Sequence, residues 1–87
     1  MTTRVKKNIS APPRKAGTVD LVAIGHRIRE LRGFQTQQAE FARMLGVSQS
    51  VLSKYERGAT EPSLEVLVKL SQRFGKSLDW LVRGPES

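Results

Sequence analysis

The chain has 87 residues, no cysteine and a formal net charge of +7 at neutral pH. This length allows one small domain, and the lack of cysteine excludes disulfides, thiolate metal sites and a thiol nucleophile. A single histidine, His26, and scattered carboxylates supply neither a metal-ligand set nor an acid–base pair. We therefore predict a protein that is not an enzyme and that needs no cofactor, metal or small-molecule ligand.

The first part of the chain is basic and lacks a helical apolar period. Residues 1–20 contain the basic side chains Arg4, Lys6, Lys7, Arg14 and Lys15, one acid, two prolines and a glycine. We predict a flexible, disordered basic arm over 1–20, a helical domain over 21–84 and a tail over 85–87. The arm either gains affinity from nearby phosphates by counterion release or is a passive solvated tail.

Targeting and membrane signals are missing from the pattern. The N-terminal stretch has no apolar centre of the kind found in signal peptides. No apolar run approaches the roughly 20 residues that a membrane span requires. We expect a cytoplasmic protein with no membrane partner.

The first two helices follow from the spacing of apolar residues. One helix is predicted near 21–32 and a second near 38–45, with Gly33 and Gly46 as their ends. The residues predicted to face the core are spaced three or four positions apart on each helix, except that Phe41 and Ala42 are adjacent. They are Ile24, Ile28, Leu31, Phe41, Ala42 and Leu45. In the connecting loop, Phe34 is expected to cover the core.

The third helix is predicted at about 49–57. Ser48 is a favourable N-cap before it, and Gly58 ends it. Leu52 and Tyr55 are three positions apart on this helix, so both are expected to face the core.

Two further helices complete the predicted fold. Ser63 caps a fourth helix that ends at Gly75, and its apolar set is Leu64, Leu67, Val68, Leu70 and Phe74. Ser77 caps a short fifth helix, which ends at Gly84. No segment shows the period-two alternation of a strand. The predicted fold class is all-α, a bundle of five short helices.

One face of the predicted third helix is polar and free of carboxylates. It carries Gln49, Ser50, Ser53 and Arg57, with Lys54 at its border, whereas Glu56 falls elsewhere on the helix. Glutamine can pair with adenine through two hydrogen bonds, serine can contact most bases, and lysine or arginine favours guanine. This face either contacts base edges in the DNA major groove or is a solvated surface.

Six fragments occur in order along the predicted helical domain. They are IRELR at 28–32, QAEFA at 38–42, LGVS at 45–48, YERG at 55–58, EPS at 61–63 and LDWL at 78–81. Each is weak alone, but together and at this spacing they resemble the Cro/cI-like (lambda-repressor-like) helix-turn-helix DNA-binding domains. The resemblance covers about 24–84 and implies a lambda-repressor-like helix-turn-helix bundle whose third helix is the recognition helix.

The resemblance also implies roles for individual residues. Gln49 and Ser50 match the first two groove-facing positions of the recognition helix, and Lys54 matches a later one. We add Ser53 as a fourth base-contacting candidate, because it shares their helical face.

Contacts with the DNA backbone are implied for residues at the ends of the second and third helices. Gln38 matches a glutamine that binds a phosphate and braces the first groove-facing glutamine, here Gln49. Arg57 and Thr60 match backbone contacts after the recognition helix, and Ser48 is either a cap or a phosphate donor. Separately, Arg32 and Glu56 align with an ion pair that joins the first and third helices in relatives.

Three binding functions remain open at this stage. The first is a sequence-specific transcriptional repressor or activator, with a repressor preferred, that binds a palindromic double-stranded DNA operator as a homodimer. The second is an antitoxin that binds DNA and a protein partner, for which only residues 1–20 could supply the extra segment. The third is a basic RNA-binding or nucleoid-associated protein without sequence preference. The neutral Gln and Ser positions and the lack of aromatic stacking platforms favour the first.

The fifth helix offers a possible contact between two copies. Leu78 and Leu81 are expected to face the domain's own core, and Trp80 and Val82 to point away from that line. Trp80 therefore either lies in a dimer interface or folds back against Phe74.

Overall fold

The computed structural model describes residues 19–85. Over those residues it contains α-helices and no strand, which confirms the predicted all-α fold. Most of the predicted arm and the last two residues of the predicted tail lie outside the described residues, so both segments stay predictions. The helices are α1 (Leu21–Arg32), α2 (Gln38–Leu45), α3 (Gln49–Arg57), α4 (Leu64–Phe74) and α5 (Leu78–Arg83).

Short polar side chains fix where four of these helices begin. The hydroxyls of Ser48, Ser63 and Ser77 accept hydrogen bonds from backbone N–H groups three residues ahead, at 3.1, 3.1 and 2.9 Å. Asp20 belongs to the predicted arm, yet its carboxylate caps α1 by accepting from the Ala23 N–H at 3.1 Å. Each cap satisfies a donor that has no partner inside its helix, which stabilises the helix by about 1 kcal/mol.

The turn between α2 and α3 depends on a glycine. Gly46 has a left-handed φ of 78°, and its N–H bonds to the Arg43 carbonyl at 3.1 Å. The N–H of Val47 then bonds to the Ala42 carbonyl at 3.0 Å, and Ser48 caps the next helix. Residues with a side chain rarely adopt this φ, so the turn requires glycine. The turn in turn fixes the angle at which α3 leaves α2.

The core draws on all five of these helices. α1 packs across α3, α2 packs against α3 and α4, and α5 bridges α1 and α4. The Phe41 and Phe74 rings lie 6.0 Å apart between centroids, which joins α2 to α4. The predicted core residues that are confirmed as buried are Ile24, Ile28, Phe41, Ala42, Leu45, Leu52, Tyr55, Leu67, Leu70 and Leu81.

Two residues that were predicted to be inside on α4 lie outside. Leu64 is 69% exposed and Val68 is 37% exposed, whereas Val66, which the prediction omitted, is buried. The buried side of α4 is set by Val66, Leu67 and Leu70. Leu64 and Val68 are one turn apart on the flank of that side, so they form an exposed apolar strip.

The prediction for α5 was wrong for Leu78 and Val82, and Trp80 follows the second of its two alternatives by packing on the domain's own core. Leu78 is 40% exposed instead of facing the core, while Trp80 and Val82 are half-buried and pack against the core. α5 packs against two helices, so side chains on both sides of the buried Leu81 are covered. Lys76 also covers Trp80, with its Nζ 4.6 Å from the ring centroid.

Phe34 does not cover the core. Its side chain is fully exposed in the loop between α1 and α2. The loop leaves α1 at Gly33, where φ is 76° and a Cβ atom would meet nothing within 4 Å. The Phe34 ring instead lies at the surface beside His26, Arg29 and Glu30 of α1, outside the core.

A glycine in the middle of α1 sets the distance between α1 and α3. A Cβ atom at Gly25 would lie 2.4 Å from the Tyr55 carbonyl oxygen and 2.7 Å from that of Glu56. Both atoms are backbone of the last turns of α3. Only glycine allows α1 to approach this closely, and the approach holds the C-terminal half of α3 in place.

Two basic side chains bind the C-terminal carbonyls of neighbouring helices. Arg27 of α1 donates to the Leu81 and Val82 carbonyls of α5, at 2.9 and 3.4 Å. Lys69 of α4 donates to the Leu45 carbonyl of α2 at 3.2 Å. A cation is favourable there because a helix C-terminus carries partial negative charge and unsatisfied carbonyls. Neither contact was predicted from the sequence.

Candidate nucleic-acid interface

The candidate interface is centred on the outer face of α3. Gln49, Ser50 and Lys54 are exposed, and Ser53 is half-buried. The opposite side of the same helix buries residues such as Leu52 in the core. The base-contacting candidates therefore all retain solvent-accessible surface on a helix that the core holds from behind.

Glu56 is the carboxylate of α3, and it lies away from this outer face. Its side chain is only 5% exposed and receives two hydrogen bonds from Arg32, from Nε to Oε2 at 2.8 Å and from Nη2 to Oε1 at 2.9 Å. The predicted ion pair between α1 and α3 is confirmed. Arg32 also donates from Nη1 to the Thr36 carbonyl at 3.0 Å, so it holds the α1–α2 loop as well.

Glu56 favours the charged form of the Arg32 guanidinium. The hydrogen bond to Glu56 raises the pKa of Arg32 above its ordinary value, burial lowers it, and the negative charge of Glu56 raises it further. The pair removes one acidic group from the side of α3 that a polyanion would approach. Lys54 and Arg57 form no ion pair with any described residue, so their positive charges stay available.

A chain of hydrogen bonds connects the ion pair to the outer face of α3. Gln38 donates from Nε2 to Glu56 Oε1 at 3.0 Å, and Gln49 donates from Nε2 to Gln38 Oε1 at 3.3 Å. The predicted brace between the two glutamines is confirmed. The contact between Gln38 and Glu56 was not predicted, because the sequence separates them by 18 positions.

The backbone-contacting candidates occupy the ends of α2 and α3. Gln38 is half-buried at the first position of α2, Arg57 is exposed at the last position of α3, and Thr60 is half-buried in the following loop. Ser48 is confirmed as the cap of α3. Capping uses a lone pair of its oxygen and leaves the O–H free to donate. DNA contact by all eight candidate residues stays a prediction.

Between residues 19 and 85 no cluster of His, Asp and Glu side chains has a geometry that could hold a metal ion. Across the same span, every helix is too short or too polar to cross a membrane.

Comparison with known proteins identifies the family. A family model described as helix-turn-helix matches residues 27–81, which is more than half of the chain. The repressor protein C2 of Salmonella phage P22 is 40% identical over 62 residues, which cover 70% of this chain and 29% of that protein. The chain belongs to the lambda-repressor-like helix-turn-helix family of transcriptional regulators. No enzyme family is indicated by these matches.

Solved structures support the same helix-turn-helix assignment. The P22 c2 repressor in complex with a synthetic operator has a TM-score of 0.63 and 40% identity, covering 70% of this chain and 94% of that one. The restriction-modification controller protein C.AhdI of Aeromonas hydrophila has a TM-score of 0.61 and 33% identity, covering 71% and 96%.

A relative of another functional class also matches. Antitoxin PezA of Streptococcus pneumoniae is 40% identical over 55 residues, which cover 62% of this chain and 35% of the antitoxin. This helix-turn-helix chain thus spans about a third of the length of both curated relatives.

Proposed function

We propose that this protein is a transcriptional repressor that binds a specific double-stranded DNA sequence with α3 in the major groove. The observation that carries the proposal is the exposed face of α3, where Gln49 is braced by Gln38 and Ser50, Ser53 and Lys54 lie nearby. The major groove admits an α-helix and presents a distinct hydrogen-bond pattern for each base pair. The similarity to the P22 C2 repressor and to its operator complex supports this proposal.

The start of α2 suits a phosphate of the DNA backbone. Gln37, the residue before α2, makes no side-chain cap, unlike the residues before the other four helices. The first N–H groups of α2 are therefore not occupied by a capping side chain, and a helix N-terminus favours an anion. A phosphate bound there would set the depth of α3 in the groove. The side chains that would contact this phosphate or its neighbours are Gln38, Ser48, Arg57 and Thr60.

We expect the protein to act as a homodimer on a palindromic operator. One recognition helix contacts too few base pairs to select a site among genomic competitors. Two copies related by a two-fold axis would contact half-sites roughly 34–36 Å apart. Exposed apolar side chains on α4 and α5 are the candidate contact surface: Leu64, Val68 and Leu78.

Alanine substitutions on α3 separate base contacts from backbone contacts. Gln49→Ala should weaken binding to the selected operator by about 1–3 kcal/mol and leave binding to random duplex nearly unchanged. Arg57→Ala should weaken both alike and reduce the slope of log affinity against log salt by about one unit. The operator is obtained by selection from a random duplex library, and affinities are measured by titration at several salt concentrations.

A matched variant controls for the loss of a glutamine. Gln35→Ala removes an exposed glutamine from the α1–α2 loop, outside both the candidate interface and the apolar strip, and should change neither affinity. Equal losses on operator and random duplex for Gln49→Ala would remove that residue from base contact. A wild-type protein that does not prefer any selected duplex over random DNA would reject the proposed function.

A charge introduced into the apolar strip tests the dimer. Leu64→Lys should shift a monomer–dimer equilibrium towards monomer, because a dimer through this strip would bury the new charge. The melting temperature of the monomer should change little, since Leu64 is already exposed. Gln35→Lys adds the same charge in the α1–α2 loop and serves as the control in sedimentation experiments. A wild type that stays monomeric both free and on a palindromic duplex would refute the dimer.

No specific observation favours the antitoxin alternative. The similarity to PezA covers about a third of that protein. The chain is equally identical, at 40%, to a phage repressor, so the identity does not favour the antitoxin. The segment that could bind a toxin, residues 1–20, lies almost wholly outside the described residues. Co-purification of a stoichiometric second protein with the native chain would favour this alternative.

A further inference from the structure

We propose that Phe34 and the notch beside it form a surface on which a second copy of this chain binds about a two-fold axis. The residues of this surface, the Phe34 patch, are His26, Arg29, Glu30, Gly33 and Phe34. None of them belongs to α3 or to the apolar strip on α4. The contact is therefore separate from the proposed DNA contacts and from the proposed dimer through α4 and α5.

Phe34 lies in the α1–α2 loop with its ring fully exposed. A single exposed apolar residue is common on protein surfaces and carries little meaning alone. Phe34 differs because it borders an open notch of about 370 Å³. A dry cavity of about 150 Å³ already holds a benzene ring, so the notch has room for one phenyl side chain. The same patch therefore offers a ring and a recess that would receive a ring.

A surface that pairs with its own copy must be self-complementary. A two-fold axis brings a first residue to a second residue of the partner, and the second residue to the first. The Phe34 patch meets this condition in shape, because each Phe34 ring would enter the notch of the other copy. The two rings would then pack against each other, and paired aromatic rings contribute beyond the area that they bury.

The charges of the patch are self-complementary as well. Arg29 and Glu30 are both exposed and line the same notch. Neither forms an ion pair with any described residue. Across a two-fold axis, Arg29 of each copy would face Glu30 of the other, which gives two ion pairs in one contact. A uniformly acidic or basic partner would repel one of these charges, whereas a second copy repels neither.

The contact should be weak because it is small. Five residues of each copy line it, whereas a stable interface uses about 20–30 residues a side. We expect a dissociation constant of about 1 mM. Such a contact acts between copies that are already held close together, where the effective concentration reaches the millimolar range.

The test uses the full chain with Leu64→Lys, which removes the other proposed self-contact. Sedimentation and amide NMR spectra are recorded from well below the expected dissociation constant to about 2 mM. The protein should pass from monomer towards dimer as its concentration rises. The amide shifts that change with concentration should lie at residues 26–34.

An exchange of charges is the decisive variant series. Arg29→Glu would place carboxylates opposite each other, and Glu30→Arg would do the same with guanidinium groups. Each should weaken self-association by about ten-fold. The double variant carries the same charges in exchanged positions and should restore the original association. Arg29→Glu also lowers the net positive charge of the chain, which by itself would favour association, so weakening cannot come from net charge.

Two matched controls make the same charge changes outside the patch. Arg43→Glu and Glu40→Arg are at exposed positions of α2 and should leave self-association unchanged. Phe34→Ser should abolish self-association and keep the melting temperature, because the ring makes no contact in the core.

Three results would overturn the proposal. The first is a Leu64→Lys protein that stays monomeric up to about 2 mM. The second is a double variant that associates as weakly as Arg29→Glu or Glu30→Arg alone. The third is a set of patch amides whose shifts ignore concentration but change when residues 1–18 are deleted, which would place that segment of the same molecule on the patch. Each result leaves the proposed function untouched, because no DNA is present.

Discussion

Gly25→Ala should lower the free energy of unfolding by about 2–3 kcal/mol. An alanine in a helix is ordinarily more stable than a glycine by roughly 1 kcal/mol, so the sign depends on the surroundings. Here the added Cβ would lie 2.4 Å from the Tyr55 oxygen and 2.7 Å from the Glu56 oxygen. Both are backbone atoms, which cannot move aside as a flexible side chain would, so α1 and α3 must separate.

Chemical denaturation of wild type and variant measures this loss, and DNA binding measures its consequence. Since the overlap is with the last turns of α3, Gly25→Ala should also weaken operator binding beyond the loss of folded protein. Gly75→Ala is the control, because its Cβ meets nothing within 4 Å and only its left-handed φ of 67° opposes alanine. That variant should cost roughly 1 kcal/mol. If Gly25→Ala is neutral or stabilising, α1 does not limit the position of α3.

Arg32→Met should destabilise the protein by about 3 kcal/mol or more. It removes both donors that hold Glu56, whose side chain is only 5% exposed, and leaves the carboxylate with Gln38 as its remaining donor. A buried charge without its partner keeps most of its desolvation cost. The variant also releases the Thr36 carbonyl, and so loosens the loop before α2.

A double variant distinguishes the missing partner from a general packing defect. Arg32→Met with Glu56→Met removes both charges, and should be more stable than Arg32→Met alone because no buried carboxylate remains. If the double variant is less stable than the single variant, the loss in Arg32→Met does not come from the unpaired carboxylate of Glu56.

The pH dependence of this pair has a definite sign. Glu56 raises the pKa of Arg32 in the folded state, so the stabilisation from Arg32 is complete below the unfolded-state pKa. It is lost only as pH rises through the raised folded-state pKa, which is strongly alkaline. Unfolding measured across the neutral range should show no change that arises from titration of Arg32.

The helices were predictable because their ends carry local signals. Ser48, Ser63 and Ser77 cap helices through their own side chains, and glycines such as Gly46 and Gly58 end helices through a local left-handed turn. Such signals act over three or four residues and need no knowledge of the rest of the fold.

Residues at the border of a helix face were harder to assign. Leu64 and Val68 have the period of a buried side, but the neighbouring helices cover α4 along Val66, Leu67 and Leu70 instead. Periodicity gives the angle between residues on one helix and leaves open how far a neighbouring helix extends. Phe34 shows the same difficulty in a loop, where apolar character does not determine direction.

The candidate site was predictable in part, and for two reasons. The helical period placed Gln49, Ser50 and Ser53 on one face, and family resemblance supplied the pairing of Arg32 with Glu56 and of Gln38 with Gln49. The link from Gln38 to Glu56 joins these two pairs and needs the angle between α2 and α3, which no local pattern contains. The close approach at Gly25 was missed for the same reason.

The contact between Arg27 and the last turn of α5 ties the C-terminal end of the domain to α1. It joins residues 54 positions apart, and α5 itself has only six residues. Tension along the chain would load this contact early and could detach α5 as a unit, because short peripheral elements open at lower free energy than the interior. α3 is held separately, by Gly25 and Arg32 of α1. A pull on the C-terminal end should therefore detach α5 before it disturbs the helix that would contact DNA.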